Sequence, residues 1–113
     1  MLIFKVLRQA EWEALARDGY TPGSPVDLSD GFIHFSAGPQ LRETVARQFA
    51  GAADLVLVAV EAEGIDDALK WEPSRGGALF PHLYRPLFLA DVRWHRPLPL
   101  GEAGHVFPPE ATA

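Results

Sequence analysis

The run DLVLVAVEA, residues 54–62, is the feature that most constrains the fold. From residue 55 to residue 60 every side chain is apolar, and Val and Leu predominate. A strand with one face in water alternates apolar and polar residues, whereas a strand covered on both faces is apolar throughout. We therefore predict a central strand here that is covered on both faces.

The flanking segments predict the other main elements. Residues 2–7 are rich in β-forming side chains and predict the first strand, and residues 89–100 predict the last. Residues 9–18 and 37–50 have apolar side chains at helical spacing, and each segment is followed by a glycine, which predicts two helices. Residues 20–31 are rich in Pro, Gly, Ser and Thr and are expected to form a loop.

The order of these elements indicates the fold class. Strands and helices alternate only in the first half of the chain, which predicts an α+β domain rather than a doubly wound parallel sheet. At 113 residues we expect a single domain, residues 1–113, of which residues 107–113 form a frayed tail.

Composition excludes several classes of function. The net charge is −5 and no segment concentrates Lys or Arg, which argues against nucleic acid or an anionic membrane as a partner. Without cysteine there is no disulfide, thiolate chemistry or cysteine metal site. The four histidines lack metal-binding spacing, so no metal is expected. The N-terminal apolar run is too short for a signal peptide or membrane span, and we expect a cytoplasmic protein.

The segment SDGFIHFS, residues 29–36, contains a first candidate binding site. In a strand, Ile33 and Phe35 share one face, which is expected to be core, while Phe32, His34 and Ser36 share the other. His34 and Ser36 would then lie about 7 Å apart, above the ring of Phe32. Such a face suits a flat polar ligand, because the ring packs against it and the imidazole and hydroxyl bind it by hydrogen bonds.

Two structural alternatives apply to this segment. His34 is then a core histidine bonded to a backbone carbonyl, and Ser36 caps the helix that starts near Pro39. Neither alternative requires a ligand.

A second candidate cluster lies in residues 70–87. It contains Glu72, Arg75, His82, Tyr84 and Arg85 around a Gly-Gly pair and two prolines. The prolines favour an extended backbone, in which His82 and Tyr84 repeat the spacing of His34 and Ser36. The alternative is a surface loop with a Glu–Arg pair and an amphipathic tyrosine.

The segments DGFIHFS and LKWEPSRGGALFPHLYRPL closely resemble a bacterial and plant family of unknown function, number nine-five-two in the usual naming. The resemblance extends over nearly the whole chain. That family is generally grouped with the ADP-ribosyltransferase-like fold, a split β-sheet structure that binds NAD in a central cleft. The resemblance therefore implies split or mixed β-sheets with two main helices.

The same resemblance implies roles for individual residues. His34 and Ser36 match the strand-borne pair that binds the dinucleotide. Tyr84 would pack against nicotinamide, and Glu72 would stabilise the positively charged ribosyl transition state. The enzymes of that fold have the order His, Tyr, Glu along the chain, whereas here it is His34, Glu72, Tyr84. His82 has no counterpart among these residues, and a phosphate contact or general-acid role is expected of it.

Two functions are open from the sequence. The first is binding of NAD or an ADP-ribose-like nucleotide, with ADP-ribosyl transfer or NAD hydrolysis as its enzymatic form. The second is a non-catalytic domain that binds another small metabolite or a peptide in the same concavity.

Overall fold

The computed structural model describes residues 1–112. The strands are β1 (Leu2–Arg8), β2 (Tyr20–Thr21), β3 (Ile33–His34), β4 (Ser36–Ala37), β5 (Leu55–Glu61), β6 (Leu69–Pro73), β7 (Leu79–Leu83), β8 (Leu87–Phe88), β9 (Val92–Leu98), β10 (Leu100–Gly101) and β11 (Gly104–His105). The helices are α1 (Gln9–Asp18), α2 (Pro25–Asp30), α3 (Gly38–Gln48) and α4 (Pro109–Thr112). The protein is an α+β domain with antiparallel sheets, as the order of elements predicts.

The prediction of a central strand in residues 54–62 is confirmed. Strand β5 lies between β1 and β9 in a four-stranded antiparallel sheet of order β4-β1-β5-β9. Val56, Val58 and Val60 belong to one buried apolar cluster, and Leu55 and Leu57 belong to another. The run is apolar at every position because alternate side chains enter two different cores.

A three-stranded antiparallel sheet of order β3-β7-β6 lies beside the first. The chain passes from this sheet to the four-stranded sheet within residues 33–37. His34 in β3 pairs with His82 in β7, whereas Ser36 in β4 pairs with Phe4 in β1. Phe35 lies between these strands, and its N–H donates to the carbonyl of Pro81 at 3.0 Å. The single short strand predicted for FIHFS is therefore two strands, one in each sheet.

This change of sheet leaves part of β1 open. Strand β4 pairs with β1 only at Ile3 and Phe4, while β5 pairs with β1 along its whole length. Among residues 1–112, no strand lies beside residues 5–8 on the β4 side. The two sheets separate at this edge.

The loop expected for residues 20–31 is partly wrong, because Pro25–Asp30 form helix α2. Ser24 is its N-cap, Pro25 occupies the first turn, and the Asp27 carboxylate accepts the Ser24 N–H at 2.9 Å. Gly31 ends the helix at a positive φ of 87°. The Ser, Pro and Gly that indicate a loop also serve as helix-terminus residues here.

The two predicted helices are confirmed as α1 and α3, with Leu15 of α1 and Leu41 and Val45 of α3 buried. Contrary to the fraying expected for residues 107–113, Pro109–Thr112 form helix α4, and Ala111 is buried against the α3 side of the central sheet. Residue 113 lies outside the described residues.

No helix in residues 1–112 combines the length and the apolar character needed to cross a membrane.

Candidate functional site

A cavity of about 550 Å³ lies where the two sheets separate. The open edge of β1, the start of α2, one side of α3 and the turn at Ser74 and Arg75 form its walls. Four of the residues predicted from sequence line it: His34, Ser36, Arg75 and His82. The two candidate clusters, about forty residues apart in the chain, therefore meet at one cavity.

The other three predicted residues lie elsewhere. Phe32 and Tyr84 line a smaller concavity of about 270 Å³, which lies on the other side of Asp27. Glu72 is in the wall of neither cavity. Phe32 lies outside the wall of the larger cavity, and its ring packs on three of the predicted site rings. Its centroid lies 4.1 Å from that of His82, 4.6 Å from that of His34 and 5.3 Å from that of Tyr84.

Asp27 orients His34. One carboxylate oxygen, Oδ1, lies 2.6 Å from Nδ1 of the His34 ring and accepts the His34 backbone N–H at 3.1 Å. The other ring nitrogen, Nε2, lies 2.9 Å from the Asp30 carboxylate. The alternative of a core histidine bonded to a backbone carbonyl is therefore wrong, since both ring nitrogens contact carboxylates.

Lys5 completes this group as a buried cation. Its Nζ lies 3.0 Å from Asp27 Oδ2 and donates to the His34 carbonyl at 3.0 Å. The Lys5 and Asp27 side chains are only 8% and 2% exposed. Burial by itself raises the pKa of Asp27, but the hydrogen bond from His34 and the charge of Lys5 outweigh it and hold that pKa well below its usual range.

Ser36 belongs to a hydroxyl network on α3. Its Oγ lies 2.9 Å from Thr44 Oγ1, and the Thr44 hydroxyl also lies 3.1 Å from the Gln40 carbonyl. The Arg75 guanidinium donates to Thr44 Oγ1 at 3.2 Å. Ser36 does not cap α3, whose N-cap is Ala37, so the capping alternative is wrong.

Arg75 reaches the cavity from a tight turn. The two residues after it, Gly76 and Gly77, have positive φ values of 68° and 78°, which glycine adopts readily. The Arg75 guanidinium lies over the Phe80 ring and 3.9 Å from the Glu43 carboxylate. The alternative predicted a Glu–Arg pair within residues 70–87. That pair is not observed, since Arg75 contacts Glu43 of α3.

Glu72, His82 and Tyr84 form a separate hydrogen-bonded group on one face of the β6–β7 pair. Glu72 Oε1 lies 2.9 Å from His82 Nδ1 and accepts the Tyr84 hydroxyl at 2.5 Å. The hydrogen bond from Tyr84, and then that from His82, lower the pKa of Glu72. The hydrogen bond with Glu72 raises the pKa of Tyr84.

Three residues of this site were not found from sequence. Asp27 lies in the segment that was expected to be a loop. Lys5 lies within a strand and Thr44 lies within a helix. The Ser-Pro-x-Asp pattern of a helix start was the available signal for Asp27. Nothing in the local sequence indicates that Lys5 approaches His34 or that Thr44 approaches Ser36, because each contact joins two different elements of the fold.

These features define a class of protein: a small α+β domain whose two antiparallel sheets separate around a ligand-sized cavity. The chain belongs to the family described as Protein of unknown function (DUF952), which it matches over residues 6–95. The resemblance to family nine-five-two is thus confirmed.

Solved structures of one bacterial protein are similar to this chain. The crystal structure of CC0527 from Caulobacter crescentus is 55% identical, covers 93% of this chain and 92% of that chain, and superposes with a TM-score of 0.89. The solution structure of CC0527 is 56% identical over 92% of this chain and 90% of that chain, with a TM-score of 0.83. No curated protein matches the chain.

Proposed function

We propose that the cavity between the two sheets binds NAD or an ADP-ribose-like nucleotide. The observation that carries this proposal is the meeting of His34 from one sheet, Ser36 from the other and Arg75 from the glycine turn at one cavity. Its volume of about 550 Å³ lies within the usual range for small-molecule and cofactor sites.

The chemistry of the walls supports a ligand with a charged and an apolar part. Arg8 and Arg75 line the cavity and suit a pyrophosphate, because a planar guanidinium binds phosphate oxygens with two parallel hydrogen bonds. Phe4, Leu41 and Phe49 provide apolar wall for a base or ring. A ligand that bonds to Nε2 of His34 displaces the half-exposed Asp30 carboxylate.

We propose further that the fold is ADP-ribosyltransferase-like. The support is the division of residues 33–37 between two sheets that separate around the cavity, the arrangement implied by the family resemblance. The cytoplasmic location expected from the sequence is part of this proposal.

The enzymatic form of this function is NAD-consuming glycosyl transfer or hydrolysis. The second candidate is a non-catalytic domain that binds a nucleotide, another small metabolite or a peptide. A specific observation supports the second candidate: Glu72, the carboxylate that the resemblance offers for the ribosyl transition state, does not line the cavity and is held by His82 and Tyr84. Release of nicotinamide from NAD separates the two candidates.

Calorimetric titration with NAD, ADP-ribose and NADP tests the binding function. We expect heat with at least one nucleotide, and weaker binding by Arg75→Ala. The matched control is Arg17→Ala, an exposed arginine of α1 outside the cavity, which should bind as the unmodified chain does. Absence of both heat and thermal shift with all three nucleotides would refute the proposal.

A further inference from the structure

We infer that His82 contacts the bound ligand through Nε2, and that Glu72 acts only as a positioning residue through His82. This inference rests on the proposed nucleotide binding and deepens it, because it identifies the part of the ligand that this wall recognises. The resemblance implies that Glu72 stabilises the ribosyl transition state. Here Glu72 instead positions His82 and does not itself contact the ligand.

The hydrogen bond with Glu72 fixes the tautomer of the His82 ring. Its Nδ1 lies 2.9 Å from Glu72 Oε1, and a carboxylate can only accept a hydrogen bond there. In the neutral ring Nδ1 therefore carries the proton, and Nε2 has a lone pair. This arrangement, in which a carboxylate fixes the tautomer of a histidine, prepares the other nitrogen as an acceptor.

His82 is only 4% exposed and lines the cavity. Its Nε2 is buried and has no hydrogen-bond partner in the protein, and no other buried side-chain nitrogen or oxygen in residues 1–112 is left in this way. Buried polar atoms are nearly always paired, because leaving one unpaired is costly. Because His82 lies in the wall of the cavity, a ligand bound there is the partner that we assign to Nε2.

The His82 ring is held in a fixed orientation by its neighbours. Phe32 stacks against it with 27° between the ring planes. The Glu72 carboxylate is itself held by the Tyr84 hydroxyl at 2.5 Å. Tyr84, Glu72 and His82 thus form a chain of hydrogen bonds that orients one acceptor, and such preorganisation is what a recognition group requires.

The chemistry of a lone pair selects the ligand group. An acceptor nitrogen attracts a hydroxyl donor and repels the anionic oxygens of a phosphate. His82 Nε2 therefore accepts a hydrogen bond from a ribose hydroxyl of the nucleotide, while the arginines of the cavity bind the phosphates. This differs from the phosphate contact expected for His82 from sequence.

Imidazole ¹⁵N NMR on the full chain tests the ring state without any substitution. At alkaline pH, the His82 Nδ1 signal should be of the protonated type and the Nε2 signal of the unprotonated type. Addition of ADP-ribose should shift the Nε2 signal of His82. A ligand-free ring protonated at Nε2 alone would overturn the inference.

A double-mutant cycle tests the role of Glu72. We expect Glu72→Ala and His82→Phe, which remove the acceptor atoms, each to weaken ADP-ribose binding about tenfold, the effect of losing one hydrogen bond. In the His82→Phe background, Glu72→Ala should have no further effect. Glu13→Ala, an exposed change on α1 outside the cavity, is the matched control.

The outcomes separate this inference from the proposed function. If ADP-ribose binds but His82→Phe binds it unchanged, or if the two substitutions act additively, the inference fails and the proposed function stands. If no nucleotide binds, the proposed function fails, and the ligand contact of His82 is refuted with it.

Discussion

Replacement of Asp27 by Asn is the sharpest test of how the site is built. The Asp27 carboxylate accepts hydrogen bonds from the backbone N–H groups of Ser24 and His34, and it contacts the His34 ring and the Lys5 ammonium. An amide keeps the size of the side chain and one acceptor oxygen. It removes the negative charge that faces Lys5.

The size of the effect follows from burial. Lys5 is 8% exposed at its side chain, so Asp27→Asn leaves a buried ammonium without its counter-ion. Breaking a buried pair by removing one partner costs about 3–5 kcal/mol. We expect about 3 kcal/mol, the lower end, because the amide oxygen retains part of the hydrogen bonding. For a chain of 113 residues this lowers the Tm by roughly 10 °C.

Urea unfolding followed by tryptophan fluorescence measures this loss. Asp30→Asn is the matched control, since Asp30 also contacts the His34 ring, at 2.9 Å, but is 47% exposed. It should lower the free energy of unfolding by no more than about 1 kcal/mol. The double variant Lys5→Met, Asp27→Asn should be more stable than Asp27→Asn alone, because the unpaired buried charge is gone.

Two results would refute this reasoning. One is an Asp27→Asn loss no larger than that of Asp30→Asn. The other is a double variant whose loss equals the sum of the two single losses, which would mean that Lys5 and Asp27 do not depend on each other.

Three further predictions concern acid stability, the core and the cavity. Because the pKa of Asp27 is lower in the folded state than its unfolded value of about 3.9, the stability it contributes is complete above that value and is lost as the pH falls towards the folded pKa. Acid titration of unfolding should therefore be steeper for the unmodified chain than for Asp27→Asn, and equal slopes would contradict this. Leu57→Ala should cost about 2–5 kcal/mol in urea unfolding, whereas Leu79→Ala, at a half-exposed side chain, should cost under about 1 kcal/mol; similar losses would count against the central strand. Arg75→Ala should weaken ADP-ribose binding about tenfold or more by calorimetry, and Arg17→Ala should not; unchanged affinity of Arg75→Ala would exclude Arg75 as a phosphate contact.

Local patterns determined the elements that depend on near neighbours in the chain. The apolar run at residues 55–60 identified the central strand, and helical spacing with a following glycine identified α1 and α3. These signals are readable because a helix or a doubly covered strand imposes its period on residues a few positions apart. Helix α2 was not predicted, although its capping residues, Ser24 and Asp27, are present in the sequence.

The candidate site, like the fold, could be predicted only in part from local sequence. His34 and Ser36 were identified from their spacing in one short segment, and both line the cavity. The placement of Glu72 outside it depends on the register of β6 against β7, which puts the carboxylate beside His82 and Tyr84. Residue types in a cluster indicate which groups are near one another, but not which of them faces a ligand.

Only the tertiary structure decided where the cavity lies. The chain passes from one sheet to the other within residues 33–37, because β3 pairs with β7 and β4 pairs with β1. The strands of each pair lie far apart in the chain. Lys5 reaches Asp27 for the same reason: the two charges meet only when β1 and α2 pack together. Strand pairing and buried ion pairs join distant residues, and their energy depends on a burial that exists only after the chain has folded.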